Sequence, residues 1–108
     1  MHQWLVTVRA RPSDVDLART MLLDGLLPLL AAAPGCGEPR LAACTHCPGE
    51  FTYSADWTSL EALERFERSV AYEALMSTLR RLLEGPPKRE LGQILAGRPS
   101  GPTGAGRR

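Results

Sequence analysis

The sequence predicts an α+β fold in which two helices cover one face of a four-stranded antiparallel sheet, in the chain order β-α-β-β-α-β. Three features point there: an alternating apolar segment near the N-terminus, two stretches with helical spacing, and strand-like segments punctuated by Pro and Gly between them. At 108 residues the chain suits one domain and is too short for two.

Residues 3–10 place Trp4, Val6, Val8 and Ala10 on one side and Leu5, Thr7 and Arg9 on the other, the period of a half-buried strand. Pro12 and Ser13 end that pattern. Ser13 followed by Asp16 resembles a capping box, opening a helix from about Asp14 to Ala33 that carries Val15, Ala18, Leu22, Leu26 and Leu29. Pro28 has no N–H for the Asp24 carbonyl, so a kink or break is expected near Gly25 to Pro28. Residues 37–44 and 51–57 read as the second and third strands, joined by a hairpin around Cys47-Pro48-Gly49-Glu50. Thr58 with Glu61 forms a capping box for the second helix. Leu60, Leu63, Phe66, Val70, Leu75, Leu79 and Leu82 then follow at helical spacing up to Gly85-Pro86-Pro87. A last short strand fits Arg89 to Ala96. The domain is therefore expected over residues 1–96, and residues 97–108, rich in Gly and Pro, as a disordered tail. The order is that of the ferredoxin-like fold.

Composition excludes several roles. Residues 1–97 carry ten basic against twelve acidic groups, a balance of −2, so no basic footprint for nucleic acid is present. The most apolar window, Met21 to Ala33, is interrupted by Asp24, Gly25 and Pro28 and falls short of a membrane span. The start, Met-His-Gln-Trp, is unlike a signal peptide, and a cytoplasmic location with reduced thiols is expected. No Gly-x-Gly-x-x-Gly or Walker sequence calls for a nucleotide cofactor.

Pro34-Gly35-Cys36 entering strand two, Ser54-Ala55-Asp56-Trp57 closing strand three, and the helix start from Trp57 to Ser69 together resemble the antibiotic biosynthesis monooxygenase family over residues 4–96. That resemblance implies a dimeric α+β barrel and hence a homodimer. It also implies an enzyme that uses dioxygen, with no metal or organic cofactor, to oxidise a small aromatic polyketide intermediate, such as an anthrone or hydroquinone, to a quinone. An electron-rich phenolate can itself give electrons to dioxygen, leaving the protein to bind the ring, assist proton removal and stabilise an oxyanion. By the same resemblance Trp57 matches a pocket-lining Trp. Many members place an Asn in the pocket; this chain has no Asn, and Tyr53 holds a comparable strand position. Where many members carry a His on helix two, this chain has Phe66 and Glu67.

Phe51, Tyr53 and Trp57 share one face of strand three, the face expected under the helices. Phe51 reads as core, while Tyr53 and Trp57, with polar handles that want partners when buried, fit either core or pocket. Tyr72 stands two positions past Val70, away from the Leu63–Phe66–Val70 stripe, which puts it on the surface or at a cavity mouth as a substrate contact. Arg80 and Arg81 read as a solvated helix end. Cys44-Thr45-His46-Cys47 offers two thiols and an imidazole, but Cys36 is the only other thiol in the chain. The motif falls in a hairpin rather than at a helix N-terminus, and no metal site is expected from it. His46 is a candidate acid or base near the substrate. The sequence thus nominates Tyr53 and His46 for catalysis and Trp57, Tyr53 and Tyr72 for substrate binding. Two rival functions remain: a cyclase or isomerase on the same barrel, and a non-catalytic accessory subunit.

Overall fold

A computed structural model describes residues 1–97; the expected disordered tail lies almost wholly outside the described residues. Four antiparallel strands, β1 (His2–Arg9), β2 (Arg40–Ala43), β3 (Glu50–Trp57) and β4 (Lys88–Gln93), form one sheet in the order β2-β3-β1-β4. This is the ferredoxin-like arrangement. β1 lies at the centre, with Trp4 opposite Ala55, Val6 opposite Tyr53 and Val8 opposite Phe51 on one flank. The alternation read from the sequence holds: Trp4, Val6, Val8, Ala10, Phe51, Tyr53, Ala55 and Trp57 are all buried beneath the helices.

The first helical stretch is built in three parts: α1 (Val15–Thr20), a π-helical segment (Met21–Leu26) and α2 (Leu27–Ala31), entered through a 3₁₀ turn at Pro12–Asp14. The Ser13 capping box does not form, and no side chain caps α1. The disturbance expected from Pro28 takes the form of the π turn. The Leu27 N–H bonds to the Leu22 carbonyl five residues back, which widens the helix ahead of the proline ring where an α-turn would crowd the Asp24 carbonyl. That widening also serves packing. A residue every four positions drifts around an α-helix of about 3.6 residues per turn. The slower winding of the π turn returns the row, so Ala18, Leu22, Leu26 and Leu30 all face the sheet.

The second helical stretch is also divided, where a single helix was expected. α3 (Leu60–Glu67) is capped by Ser59, whose side chain accepts from the Ala62 N–H, rather than by Thr58. α4 (Val70–Arg80) starts afresh at Ser69. The Ser69 hydroxyl donates to the Phe66 carbonyl at 2.7 Å and accepts from the Tyr72 N–H at 3.2 Å, closing one helix and opening the next. Restarting the helix resets its phase. Val70, expected in the core, is 83% exposed, and Tyr72, expected near the surface, is buried at 8%. Leu60 is likewise exposed.

β2 is shorter than expected because Pro39 has no N–H to extend the ladder. Ahead of it the chain meets β3 through the Cys36–Trp57 bridge and a Gly37 N–H to Asp56 carbonyl bond of 2.7 Å. Two turns depend on glycine. Gly35 (φ +86°) and Gly49 (φ +89°) stand at opposite ends of β3, both in the left-handed region that L side chains rarely adopt. No described helix is long and apolar enough to cross a membrane.

Candidate functional site: an aromatic cluster behind an apolar pocket

Five of the six aromatic side chains converge at the Trp57 end of the sheet. Trp4 from β1 is the hub, meeting Tyr53, Trp57, Phe66 and Tyr72 edge-on at centroid distances of 5.4 to 6.2 Å. Phe66 packs against Trp57 at 5.4 Å and against Tyr72 at 4.7 Å. These are the offset and edge-to-face geometries that aromatic quadrupoles favour. The helix break at Ser69 brings Tyr72 into this cluster.

The polar atoms of the cluster are tied unequally. The Tyr53 and Tyr72 hydroxyls share a hydrogen bond of 2.9 Å, and the Tyr53 hydroxyl also reaches the Met76 sulfur at 3.5 Å. Burial pushes both phenols above the ordinary tyrosine range, and the Tyr72 contact raises Tyr53 further. Tyr53 therefore stays protonated at neutral pH and can donate a hydrogen bond rather than take a proton. The Trp4 indole N–H donates to a Glu67 carboxylate oxygen at 3.2 Å, and Arg89, reaching from β4, grips both oxygens of that carboxylate at 2.7 and 2.9 Å. The Trp57 indole N–H is buried and has no acceptor. An orphaned donor costs about 1–3 kcal/mol, so its persistence in a core is unusual.

In front of the cluster lies an apolar pocket of about 250 Å³, open to solvent. Leu29, Ala32, Ala33 and Pro34 from the end of α2 form one wall; Ala62 and Ala71 face them, Phe66 is the aromatic member, and Arg65 and Ser69 supply polarity. A flat ring in this pocket meets Phe66 directly. Tyr53 and Trp57 are fully buried and do not line the pocket; Trp57 stands behind it, packed on Phe66.

The nominated residues separate on this structure. Tyr53, Trp57 and Tyr72 come together, all in the buried cluster. His46 does not join them: it is exposed in the β2–β3 hairpin, beyond Glu50, at the end of β3 opposite Trp57. Seven residues at about 3.3 Å each put Glu50 roughly 23 Å from Trp57 along the strand. Trp4, Glu67 and Arg89 were not nominated. The signal for Trp4 was present, since it shares the buried face of β1, whereas Glu67 and Arg89 meet only because the Arg89 side chain reaches from exposed β4 to the end of α3. Cys36, beside Trp57, has its thiol pushed up to about 11, by burial first and by the Asp56 charge second, which leaves it an inert thiol.

No protein-family model matches the chain, and no curated protein matches it by sequence. Solved structures do match. A protein solved under the name antibiotic biosynthesis monooxygenase superposes with a TM-score of 0.81, at 16% identity, covering 89% of this chain and 100% of its own. A Deinococcus radiodurans protein provisionally assigned to the same activity reaches 0.83 at 16% identity, covering 91% and 96%. A Mycobacterium tuberculosis protein, Rv0793, reaches 0.81 at 21% identity, covering 89% and 96%. This chain therefore has the ferredoxin-like fold that structures named antibiotic biosynthesis monooxygenase share, over nearly its whole described length.

Proposed function

We propose that this protein is a monooxygenase of small aromatic substrates, an anthrone or hydroquinone of polyketide type, using dioxygen with no metal or organic cofactor. The observation that carries this reading is the apolar pocket over Phe66, backed by Trp57, whose buried indole N–H lacks an acceptor. Trp57 does not line the pocket, so this reading requires the cluster to open at Phe66 when substrate binds; a substrate oxygen is then an acceptor of the right kind. As a phenolate or enolate forms, the negative charge on that oxygen strengthens the bond, which is how a preorganised donor lowers a barrier. The chemistry balances on the substrate alone: an anthrone and dioxygen give the quinone, one oxygen atom becoming the new carbonyl and the other leaving as water. A hydroquinone instead gives quinone and hydrogen peroxide. Tyr53, held protonated, supports the site by donating within the cluster, and Arg65 at the pocket favours an anionic substrate. Assembly as a homodimer belongs to this proposal, supported by a sheet whose second face carries no helix among the described residues, and so does a cytoplasmic location.

The full burial of Tyr53 and Trp57 favours one rival, a non-catalytic protein that holds the ring in the outer pocket. Oxygen uptake with an anthrone or dihydroquinone, above the spontaneous rate, separates the two. Acceleration that falls by roughly 10²-fold in Trp57→Phe, the loss typical of a missing oxyanion donor, supports catalysis. Tight binding of the same compounds without turnover supports the rival, and neither binding nor turnover removes both.

A further inference from the structure

The far end of β3 carries a second constellation, independent of the aromatic pocket. The Cys44 and Cys47 thiols and a Glu50 carboxylate oxygen all lie within 4.8 Å of one another. The hairpin makes this arrangement. The Cys44 N–H bonds to the Glu50 carbonyl at 2.9 Å and the Glu50 N–H to the Cys47 carbonyl at 3.0 Å, one step beyond the Ala43–Phe51 pair. Cys44 and Glu50 are thus cross-strand neighbours, on the face opposite buried Phe51. Gly49, in its left-handed conformation, accepts from the Ala10 N–H at 2.8 Å and returns the chain so that Cys47 joins them. Arg9, opposite Glu50 on β1, bonds Oε1 of that carboxylate at 2.8 Å and holds it in place. The Cys44 thiol, hydrogen-bonded to Cys47, holds the latter above the ordinary thiol range, as expected of two sulfurs in contact.

The geometry points to a divalent-cation site for an ion of the zinc class, with Cys44 and Cys47 thiolates and the Glu50 carboxylate as its three protein ligands and solvent in the fourth position. The chemistry of the donors selects this class: thiolate sulfur favours borderline and soft ions over calcium or magnesium, and two sulfurs with one oxygen suit a tetrahedral ion. Around zinc with bonds of about 2.0–2.3 Å, ligand atoms stand roughly 3.5–3.8 Å apart. Closing from 4.8 Å needs side-chain movements of about 1 Å, within reach of half-buried groups on a hairpin. Charge also closes. Two thiolates and a carboxylate contribute −3, the ion +2 and Arg9 +1. Binding converts two thiols to thiolates and releases two protons to solvent, with no change of oxidation state.

The test uses the full chain under reducing conditions, first titrated with cadmium to read the thiolate charge-transfer absorbance, then with zinc against a chromophoric chelator. The expected result is one ion per chain, affinity rising with pH as two protons are released, and a melting temperature raised by zinc. Cys44→Ser and Cys47→Ser each abolish the charge-transfer band at one ion per chain. Glu50→Gln weakens binding by about tenfold or more, and Cys36→Ser leaves it unchanged. Circular dichroism of each variant confirms that it is folded; should a serine variant not fold, alkylating Cys44 and Cys47 in the folded wild-type protein must abolish the band in its place. No band in the wild type overturns the site, as does loss of the band in Cys36→Ser. Equal affinity in Glu50→Gln and wild type overturns the three-ligand assignment.

Discussion

The two ends of β3 are built from the same strand and opposite chemistry. At the Trp57 end every β3 side chain facing the helices is buried and the rings pack against one another at 4.7 to 6.2 Å. At the Glu50 end Phe51 and Gly49 are buried, but residues 44–48 and Glu50 are half-buried or exposed, held by a hairpin ladder, an Arg9–Glu50 ion pair with side chains 54% and 26% exposed, and a glycine turn. The difference follows from the helices. α3 and α4 begin directly after Trp57 and fold back over that end, so aromatic groups there exclude water from one another. Among the described residues no helix covers residues 44–48, and polar and thiol groups there remain half-buried or exposed. One strand can therefore present an organic pocket at one end and inorganic ligands at the other without either disturbing the other.

The contrast is sharpest in truncation. Trp57→Ala should cost about 3–5 kcal/mol, as measured by denaturant unfolding, because it opens a void between Trp4 and Phe66. Glu50→Ala should cost less than about 1 kcal/mol, since it removes a solvent-exposed ion pair. Equal losses at the two ends would mean that the hairpin is as tightly built as the core.

The two turn glycines should separate in the same direction. An added Cβ at Gly35 would stand 2.6 Å from the Ala62 Cβ, so Gly35→Ala combines left-handed strain with displacement of α3 and should cost about 3 kcal/mol. At Gly49 the tightest approach is 3.2 Å, and Gly49→Ala should cost about 1–2 kcal/mol, mostly from conformation. Thermal melting of both variants ranks them.

The tyrosine pair gives a pH signature confined to the Trp57 end. Both folded-state phenols are raised above the ordinary value of 10.0, so above that pH the unfolded chain loses protons that the folded chain keeps. Stability is therefore complete below pH 10 and falls as pH rises beyond it, by up to about 1.4 kcal/mol per pH unit for each phenol. Tyr53→Phe with Tyr72→Phe should flatten this alkaline slope, while His46→Ala should leave it unchanged; denaturant midpoints between pH 9 and 11 would read it. A smaller effect belongs to the joint that completes the cluster: Ser69→Ala removes the α4 cap and should cost about 1 kcal/mol, with Tyr72 loosened in near-ultraviolet circular dichroism.

Much of this was legible in the chain itself. Period-two alternation in residues 3–10 and 51–57 identified the buried faces of β1 and β3, because the side chains of a strand alternate whatever surrounds it. Pro28 marked where the first helix departs from α geometry, since a missing N–H is a covalent fact. Pro34-Gly35 and Pro48-Gly49 marked turns for the same local reason. The ferredoxin-like order followed from these elements in sequence.

Other features were decided only by the folded molecule. Helical spacing runs unbroken from Leu60 to Leu82, so nothing in its period marks Ser69 as a second cap; the division, and with it the burial of Tyr72 and exposure of Val70, lies at Ser69, whose hydroxyl closes α3 and caps α4. Trp57 reads equally as core or pocket in sequence, and only packing leaves its N–H without an acceptor beside Phe66. Glu67 and Arg89, 22 residues apart, meet because β4 returns to pair with β1, within side-chain reach of the end of α3. Cys44, Cys47 and Glu50 read as ordinary hairpin residues until strand register places the carboxylate across from the first thiol. Local rules act through covalent geometry and are written residue by residue, whereas the site depends on which surfaces the chain brings together, and that is settled by excluding water from the whole core at once.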